Sequence, residues 1–522
     1  MPTMFTMLQA RHLEIPAREA APTAKRRRGR VKPPLLAMQL SAVPALATTI
    51  AAEALLEIGQ TPRAKKTRKR MPSVIVVGAG FAGLCAAYEL MGLRFAVTVL
   101  EARNRVGGRV WSLSRGLVPD RVLEGGGELI GANHPLWLSY RQQFDLSFSN
   151  VDDYENSPIR LGGRTLSFAE SKALNKEMQR MLKRLTDLAE TIVDPFEPWI
   201  NRDARQLDRL SLGDWLERAK GKTECKRAIA QMLAADNGIP AAEQSLLGVL
   251  AMIKGGGLDR YWNDTEVYRC KGGNQQLAEC FETQLNEGQT RVLRNSPVCR
   301  IAGSEDGAQV WVKDRKKPHK ADHVILAIPP SVWHTITFSD RNLAARMRPA
   351  PRMGKNVKYL MRLRHRFWQD FGGSPTLSED GPVDLTWETT EAEPDDLGKI
   401  GLVAFSGAQD AAECVRWRSN LRRLHYVRAL KRPYPDIDRE IRRDRFMNWP
   451  EEPWTQASYY FPRCGDVVKW GQFWKEGYQG WLHFAGEHTC FAFVGYMEGA
   501  LASGFRLARR LYDQQVAQSR KG

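Results

Sequence analysis

The chain has 522 residues, and this length excludes a single simple hydrophobic core, so we expect two domains. Its hydrophobic content of 43% and charged content of 26% are ordinary for a soluble globular protein. The formal charge of +18 is unusually high, but residues 1–73 carry +10 of it and leave +8 for the other 449 residues. Much of the basic charge therefore belongs to an N-terminal tail.

The tail contains two basic clusters, at residues 25–32 and 63–70, on either side of an Ala-rich stretch at 35–56. Three interpretations remain open. The tail is a solvated, poorly ordered extension, or an arm that binds nucleic acid or acidic membrane without specificity. Alternatively it is a presequence, since a basic run, an apolar run and Ala45-Leu46-Ala47 resemble an export signal.

We expect neither a membrane span nor a disulfide framework. Gln39, Pro44 and Glu53 interrupt the apolar stretch of the tail, which argues against a transmembrane helix. The cysteines form no Cys-x-x-Cys pair and predict reduced thiols rather than a metal site; they stand at positions 85, 225, 270, 280, 299, 414, 464 and 490. The expected compartment is the cytoplasm, unless residues 1–72 contain an export presequence.

The first ordered pattern begins where the tail ends. Residues 73–103, SVIVVGAGFAGLCAAYELMGLRFAVTVLEAR, predict a buried strand, a glycine turn, a helix and a second strand. The runs VIVV and VTVL are typical of buried strands, and Ala82, Ala86 and Leu90 give the helix an apolar packing face. These elements form one βαβ unit.

Helical and strand patterns then alternate along the chain. The Leu and Met stripe of residues 168–193 is typical of a core helix and carries no chemistry. We expect further helices over 209–219 and 244–253, and strands within 291–334 and over 355–363, 400–406 and 481–487.

The order of these patterns predicts two interleaved domains. We expect an α/β fold in which a discontinuous, Rossmann-like nucleotide-binding domain is combined with an α+β substrate domain. The predicted parts are an extension over 1–72, a nucleotide-binding domain over 73–136, 266–336 and 447–515, and a substrate domain over 137–265 and 337–446.

Gly78, Gly80 and Gly83 form a G-x-G-x-x-G between the predicted strand and helix. In this context the glycines let backbone N–H groups approach a pyrophosphate at the helix N-terminus. Glu101 ends the next strand and can accept from ribose hydroxyls, which disfavours NADP. The alternative is a glycine-rich turn with no ligand.

The following residues extend the motif. Glu101-Ala102-Arg103 precede Arg105-Val106-Gly107-Gly108-Arg109, and this ExRxxxGGR pattern resembles the flavin-containing amine oxidase family, of monoamine oxidase and L-amino acid oxidase type. The resemblance runs from about residue 73 to 512. Further matching segments are EGGGELIGANHPLW at 124–137, SPV at 296–298, ADHVILAIPPSV at 321–332, FAGE at 484–487 and GYMEGA at 495–500.

The resemblance implies FAD as cofactor and assigns residues to its binding. In the family the Gly-Gly-Arg loop lies along the phosphates and isoalloxazine, and the residue matching Val298 holds the adenine through its backbone. For Arg109 a structural ion pair is the alternative. The implied FAD contacts are Gly78, Gly80, Gly83, Glu101, Ala102, Arg103, Gly108, Arg109, Gly126, Gly127, Glu128, Leu129, Val298, Gly486, Glu487, Tyr496 and Met497.

The resemblance also implies three catalytic residues. Lys358 matches the family's lysine that holds a water against flavin N5, although a lone lysine on a strand is more often a surface group. Tyr459 and Tyr496 match the two walls of the family's aromatic cage. The adjacent Tyr460 is an alternative to Tyr459.

The implied chemistry is oxidative deamination of L-amino acids or primary amines. A neutral amine delivers its α-hydrogen as hydride to flavin N5, water hydrolyses the imine, and O2 is reduced to hydrogen peroxide. Two alternatives stay open: a polyamine or diamine oxidase, and a non-catalytic flavin-binding scaffold. We expect no specific nucleic-acid partner, and a homodimer is an open alternative to a monomer.

Three positions depart from family patterns. Ser458 replaces the cysteine that attaches flavin in monoamine oxidases, so we expect non-covalent FAD. Leu129 stands near the place of an arginine that binds the substrate carboxylate in several L-amino acid oxidases, which weakens the amino-acid interpretation. Glu128 either favours a second cationic group on the substrate or points away from the site.

Overall fold

The computed structural model describes residue 32 and residues 71–521, except for 115, 152–158, 289, 305–306, 372 and 380. The N-terminal extension otherwise lies outside the described residues, so its three interpretations remain predictions. The Lys32 ammonium donates to a carboxylate oxygen of Asp145 at 2.7 Å and to the carbonyl oxygen of Gln143. The Tyr88 hydroxyl donates to the Lys32 carbonyl oxygen at 2.8 Å. This one residue of the first basic cluster thus contacts the body of the protein.

A five-stranded parallel sheet contains the predicted βαβ unit. Helix Phe81–Gly92 follows its central strand, and a Cβ atom at Gly504 of the C-terminal helix would lie 2.3 Å from the Ala82 carbonyl oxygen. The two helices therefore pack with their backbones in close approach. From edge to edge the strands are Leu482–Phe484, His323–Leu326, Ser73–Val77, Ala96–Leu100 and Arg291–Leu293.

A seven-stranded sheet, largely antiparallel, forms the second large layer. Two of its long strands, Asn356–Leu363 and Ile400–Gly407, are buried along nearly their whole length. In order, the strands are Ile441–Met447, Asn356–Leu363, Ile400–Gly407, Leu385–Glu388, Leu377–Glu379, Ile159–Leu161 and Arg164–Thr165. Lys358 pairs with Phe405 on one neighbour and Met447 on the other, which places it inside the sheet.

Three smaller sheets complete the strands of the described chain. One has four strands, His319–Ala321, Gly307–Val312, Val298–Ser304 and Thr337–Phe338. The others are two-stranded, Ser112–Leu113 with Leu123–Glu124 and Phe148–Asn150 with Tyr268–Cys270.

The helices cover the sheets and fill the space between them. Helix Phe168–Ala189 begins at a capping box of Ser167 and Glu170 and buries its Leu and Met stripe, as predicted. The other α-helices are Phe81–Gly92, Pro135–Gln143, Ala204–Arg209, Leu212–Arg218, Thr223–Asn237, Leu246–Gly255, Asp259–Asp264, Gln275–Glu287, Arg341–Arg346, Ala408–Arg416, Arg422–Leu430, Ile437–Glu440, Asp466–Glu476 and Met497–Lys521. Within the described ranges, no helix combines the length and apolarity needed to cross a bilayer.

Candidate active site

One cavity between the parallel sheet and the seven-stranded sheet brings the predicted site residues together. Gly83 lies behind the glycine turn and outside the lining. The predicted residues that line the cavity are Gly78, Gly80, Glu101, Ala102, Arg103, Gly108, Arg109, Gly126, Gly127, Glu128, Leu129, Val298, Lys358, Tyr459, Gly486, Glu487, Tyr496 and Met497. We call the part near Gly80 and Arg109 the glycine end, and the part near Tyr459 and Tyr496 the tyrosine end.

The three glycines of the turn differ in the space around their Cα atoms. Gly78 has a φ of +107°, and a Cβ there would lie 2.7 Å from the Ala327 carbonyl oxygen. A Cβ at Gly83 would lie 2.1 Å from the Gly78 carbonyl oxygen, whereas one at Gly80 would meet nothing within 4 Å. Gly80 therefore faces open space at the start of helix Phe81–Gly92, where backbone N–H groups favour an anion.

Glu101 is held beside this turn by backbone donors. Its carboxylate accepts from the N–H of Ala79 at 2.7 Å and from the N–H of Arg103 at 2.8 Å. The Arg103 guanidinium pairs with Glu452 and donates to the Thr455 hydroxyl at 2.7 Å. The carboxylate is thus oriented before any ligand binds.

Arg109 and Glu487 connect two segments that lie 378 residues apart in the sequence. Their side chains form an ion pair of 2.6 Å, and Arg109 also donates to the Ser458 carbonyl oxygen at 2.9 Å. Glu487 further accepts from the N–H groups of Tyr460 at 3.1 Å and Gly495 at 3.0 Å. The ion pair that was the alternative for Arg109 is therefore present, although both members also line the cavity.

The second glycine loop, which contains Gly125, Gly126 and Gly127, lies against Arg109 and the C-terminal helix. A Cβ at Gly126 would lie 1.8 Å from the Arg109 carbonyl oxygen. A Cβ at Gly127 would lie 3.3 Å from the sulfur of Met497. Larger residues at Gly126 would displace the Gly-Gly-Arg loop, which explains the run of glycines.

Lys358 is buried and paired at the tyrosine end. Its Nζ lies 2.7 Å from Glu128 Oε2 and donates to the Glu124 carbonyl oxygen at 3.3 Å. An ammonium group has three donors, and the third has no partner among the described residues. Lys358 can therefore hold a water or ligand in the cavity, and the surface-lysine alternative is wrong, since its residue exposure is 7%.

The Glu128 carboxylate is paired with two cations of the protein itself, Lys358 and Arg269. Its other oxygen accepts from Arg269 Nε at 2.9 Å and from Trp387 Nε1 at 3.0 Å. Burial by itself would raise the pKa of Glu128, but the charges of Lys358 and Arg269 outweigh it and lower the pKa to about 2. Glu128 is thus an ionised, neutralised anchor for Lys358 rather than a free anion for a substrate.

Tyr459 and Tyr460 turn in different directions. Both residues line the cavity, and the Tyr459 hydroxyl donates to the carbonyl oxygen of Asp236, another lining residue, at 2.5 Å. The Tyr460 hydroxyl donates to Asp466 at 3.1 Å, and its ring packs edge-on against Trp474. This geometry favours Tyr459 over Tyr460 as the predicted wall.

Tyr496 is positioned by the glycine that precedes it. Gly495 has a φ of +84°, and a Cβ there would lie 3.3 Å from the Tyr459 ring. The Tyr496 hydroxyl lies 3.5 Å from the Tyr261 hydroxyl, and its ring packs edge-on against His134 at 5.5 Å. Gly495 thus lets Tyr496 enter the cavity beside Tyr459.

Comparison with known proteins agrees with this geometry. A model of the family described as flavin containing amine oxidoreductase matches residues 81–512. The probable flavin-containing monoamine oxidase A of Dictyostelium discoideum is 25% identical over 459 residues, which cover 84% of this chain and 97% of that protein. The putative flavin-containing monoamine oxidase AofH of Mycobacterium tuberculosis is 30% identical over 450 residues, with coverages of 83% and 95%.

The chain belongs to the flavin-containing amine oxidoreductase family. A solved structure of a putrescine oxidase double mutant superposes with a TM-score of 0.76 at 25% identity and covers 85% of this chain and 99% of that one. Cyclohexylamine oxidase from Brevibacterium oxydans IH-35A shares the fold, with a TM-score of 0.74 at 22% identity and coverages of 85% and 100%. The predicted resemblance and the two-domain fold class are confirmed, and family membership makes the protein an FAD-dependent oxidoreductase acting on amines.

The residues of the glycine end fit the FAD of this family. Gly80 leaves room for a pyrophosphate where N–H groups of the helix N-terminus are free of side-chain caps. Glu101 faces the same cavity for the ribose. The Ser458 hydroxyl donates to Asn356 Oδ1 at 2.6 Å and offers no thiol for attachment, so non-covalent FAD remains our prediction.

The residues of the cavity and their ion-pair partners that the sequence analysis missed include Asp236, Glu266, Arg269 and Trp387. All four lie outside the segments that carry the family resemblance in the sequence. A signal was available for Asp236, which stands in the last turn of helix Thr223–Asn237, where a carboxylate opposes the helix dipole. A residue that is locally unfavourable is a reasonable candidate for a site.

Proposed function

We propose that this flavin-containing oxidase deaminates primary amines that carry no α-carboxylate. A primary amine, O2 and water give an aldehyde, ammonia and hydrogen peroxide. One observation carries the proposal: each described lysine and arginine that lines the cavity has a carboxylate partner. The pairs are Arg103 with Glu452, Arg109 with Glu487, and Lys358 with Glu128.

This distribution of charge disfavours an amino acid substrate. A buried carboxylate needs a paired cation, and Leu129 stands near the place where some relatives have an arginine. Arg269 is a candidate from the rest of the chain, and although its Nη2 has no hydrogen-bond partner among the described residues, its charge is already shared by Glu128 and Glu391. The similar proteins are named for amines, as in monoamine oxidase and putrescine oxidase.

The protein's own groups have simple tasks in this reaction. When bound, FAD supplies the hydride acceptor, so no side chain has to act as a strong base. The Tyr459 and Tyr496 residues line the cavity, and their aromatic rings favour the neutral amine. Lys358, fixed by Glu128, holds a water through its third donor.

Matched pairs of substrates test the proposal. Purified holoprotein is mixed without oxygen with phenethylamine or L-phenylalanine, and with isopentylamine or L-leucine, which differ only by a carboxylate. We expect the amines to bleach the flavin absorbance and, in air, to produce peroxide. Bleaching by the amino acids in preference to the amines would overturn the substrate class. If no compound bleaches the bound flavin, the scaffold alternative replaces the oxidase.

A further inference from the structure

Beyond the N-terminal extension, nearly all the net charge of the chain lies in one segment. Residues 416–443 contain ten Lys and Arg against three Asp and Glu, a net charge of +7, whereas residues 74–522 as a whole carry +8. The segment includes helices Arg422–Leu430 and Ile437–Glu440 and the start of strand Ile441–Met447, at one edge of the seven-stranded sheet. It contributes no residue to the lining of the cavity, so its charge needs a separate explanation.

Six arginines of this segment are exposed and have no carboxylate partner among the described residues. Other charges of the segment are paired, as in Lys431 with Asp438 at 2.8 Å and Arg439 with Asp436 at 3.5 Å. Unpaired like charges repel one another, and an opposing surface of negative charge removes this repulsion. The six are Arg416, Arg418, Arg428, Arg432, Arg442 and Arg443.

Two contacts hold the parts of this segment together. The Trp417 ring stacks on that of His425 at 4.8 Å, so the chain before helix Arg422–Leu430 lies against the helix. The Arg423 guanidinium pairs with the Asp444 carboxylate at 2.9 Å, so the same helix lies beside the edge strand. The unpaired arginines therefore belong to one contiguous region of the surface.

Two exposed leucines lie in the same region. Leu421 immediately precedes helix Arg422–Leu430 and is 40% exposed, and Leu424 is 54% exposed. Helical spacing puts Leu421, Leu424 and Arg428 on one side of the helix, whereas Tyr426 is buried on the other. Leucines surrounded by basic side chains are typical of a surface that lies on an anionic bilayer, because the leucines enter the lipid and the arginines bind its phosphates.

Protection of the edge strand explains only part of this pattern. Charged residues on an edge strand prevent its pairing with other sheets, which accounts for Arg442 and Arg443. It does not account for Arg428 or the exposed Leu424, since both lie on a helix. A nucleic acid would pair with the arginines but leave the leucines in water, so the leucines favour a lipid surface.

We propose that this region, which we call the arginine face, is a docking surface for bilayers that contain anionic lipid. Docking is peripheral, with the leucines in the headgroup region and the arginines on the lipid phosphates. The inference concerns where the protein binds and is independent of the proposed function. The arginine face consists of Arg416, Arg418, Leu421, Leu424, Arg428, Arg432, Arg442 and Arg443.

Cosedimentation of the full-length holoprotein with lipid vesicles tests this proposal. Vesicles of phosphatidylcholine alone are compared with vesicles that also contain phosphatidylserine, and we expect binding to the second kind, weakened by added salt. The triple variant Arg428→Gln, Arg432→Gln, Arg442→Gln should weaken it about a hundredfold, since each basic residue near an anionic surface contributes about fivefold. A wild type that binds neither kind of vesicle would overturn the proposal.

A matched variant separates the arginine face from the rest of the charge, including that of the N-terminal extension. Arg202→Gln, Arg205→Gln and Arg209→Gln together remove the same charge from exposed positions in and before helix Ala204–Arg209, where these arginines also have no carboxylate partner among the described residues. We expect this control to bind nearly as tightly as the wild type. Equal weakening by both triple variants would show that binding follows total charge and would remove the arginine face.

The leucines distinguish a lipid surface from a nucleic acid. Leu421→Gln combined with Leu424→Gln leaves the charge unchanged and should weaken vesicle binding about tenfold or more, because apolar burial is lost. Binding to double-stranded DNA should not change. Vesicle binding that is indifferent to the leucines would overturn the lipid assignment in favour of a nucleic acid or another polyanion. All substituted side chains are exposed, so flavin absorbance and melting temperature should match the wild type in every variant.

Discussion

At the glycine end of the cavity, arginines and carboxylates neutralise one another within the protein, whereas at the tyrosine end Asp236 has no described hydrogen-bond partner. Arg109 and Glu487 face each other at 2.6 Å, and Glu101 is satisfied by backbone N–H groups. The difference indicates two ways to build a site. The glycine end relies on close backbone approach, while the tyrosine end combines aromatic rings with the ion pair of Lys358 and Glu128.

Among the variants that test this comparison, substitutions in the glycine turn should have the largest effect. In Gly83→Val the new side chain would collide with the Gly78 carbonyl oxygen, so we expect no soluble holoprotein. Gly80→Ala should fold normally, because its methyl group points into open space, but FAD affinity should fall about tenfold or more, as overpacking costs about 1–3 kcal/mol. Melting temperature and flavin absorbance measure both. Normal FAD content in Gly83→Val would show that close backbone packing does not shape this end.

Lys358 tests whether a paired charge at the tyrosine end still performs chemistry. Lys358→Met should keep FAD bound but slow flavin bleaching by amines about a hundredfold, since a positioned donor is lost. Stopped-flow absorbance provides the rate, and Lys254→Met at the surface is the control. An unchanged rate would make Lys358 a purely structural partner of Glu128.

The adjacent tyrosines provide a finer comparison. Tyr459→Phe loses a hydrogen bond to the Asp236 carbonyl oxygen, so we expect the amine KM to rise about fivefold, equivalent to about 1 kcal/mol. Tyr460→Phe loses its bond to Asp466 and should lower the melting temperature without changing kcat/KM. Steady-state kinetics and thermal unfolding separate the two, and the opposite pattern would make Tyr460 the cavity wall.

Glu498 extends the comparison to a buried carboxylate whose hydrogen bonds, among the described residues, come from backbone N–H groups. It accepts from the N–H groups of Leu136 and Trp137, yet burial raises its pKa to about 7. A raised folded-state pKa gives stability that is complete below the unfolded value of about 4.3 and lost as the pH rises through 7. Between pH 4.3 and pH 7 the free energy of unfolding falls by up to about 1.4 kcal/mol per pH unit.

The variant Glu498→Gln removes this titration. Its melting temperature minus that of the wild type should therefore become more positive by a few degrees between pH 5 and pH 8. Differential scanning calorimetry at the two pH values measures the change. A difference that stays constant with pH would contradict the assignment.

Local signals made the glycine end predictable. The turn, the buried strand before it and the acidic residue after it lie within thirty residues of sequence, so their patterns report directly on structure. The apolar neighbours of Lys358 are a local signal of its burial, since Val357, Tyr359 and Leu360 are themselves buried.

The tyrosine end was harder to predict, because its charges come from separate segments. Asp236 ends a helix that we did not predict, and Glu266 lies in a connection. Nothing local indicates that these acids share a cavity with Lys358, since their proximity depends on how the helical layer packs against the seven-stranded sheet. The partner of Glu128 was missed for the same reason, because Arg269 follows it by 141 residues.

The contacts of Glu487 also have a consequence for the order of synthesis. This carboxylate ties Arg109 to the backbone of Gly495, so these contacts form only after the chain has been made as far as Gly495. A ribosome adding roughly 5–20 residues per second needs roughly 20–80 s to travel from Gly78 to Glu487. The glycine turn is therefore made well before the contacts of Glu487 with Arg109 and Gly495 can form.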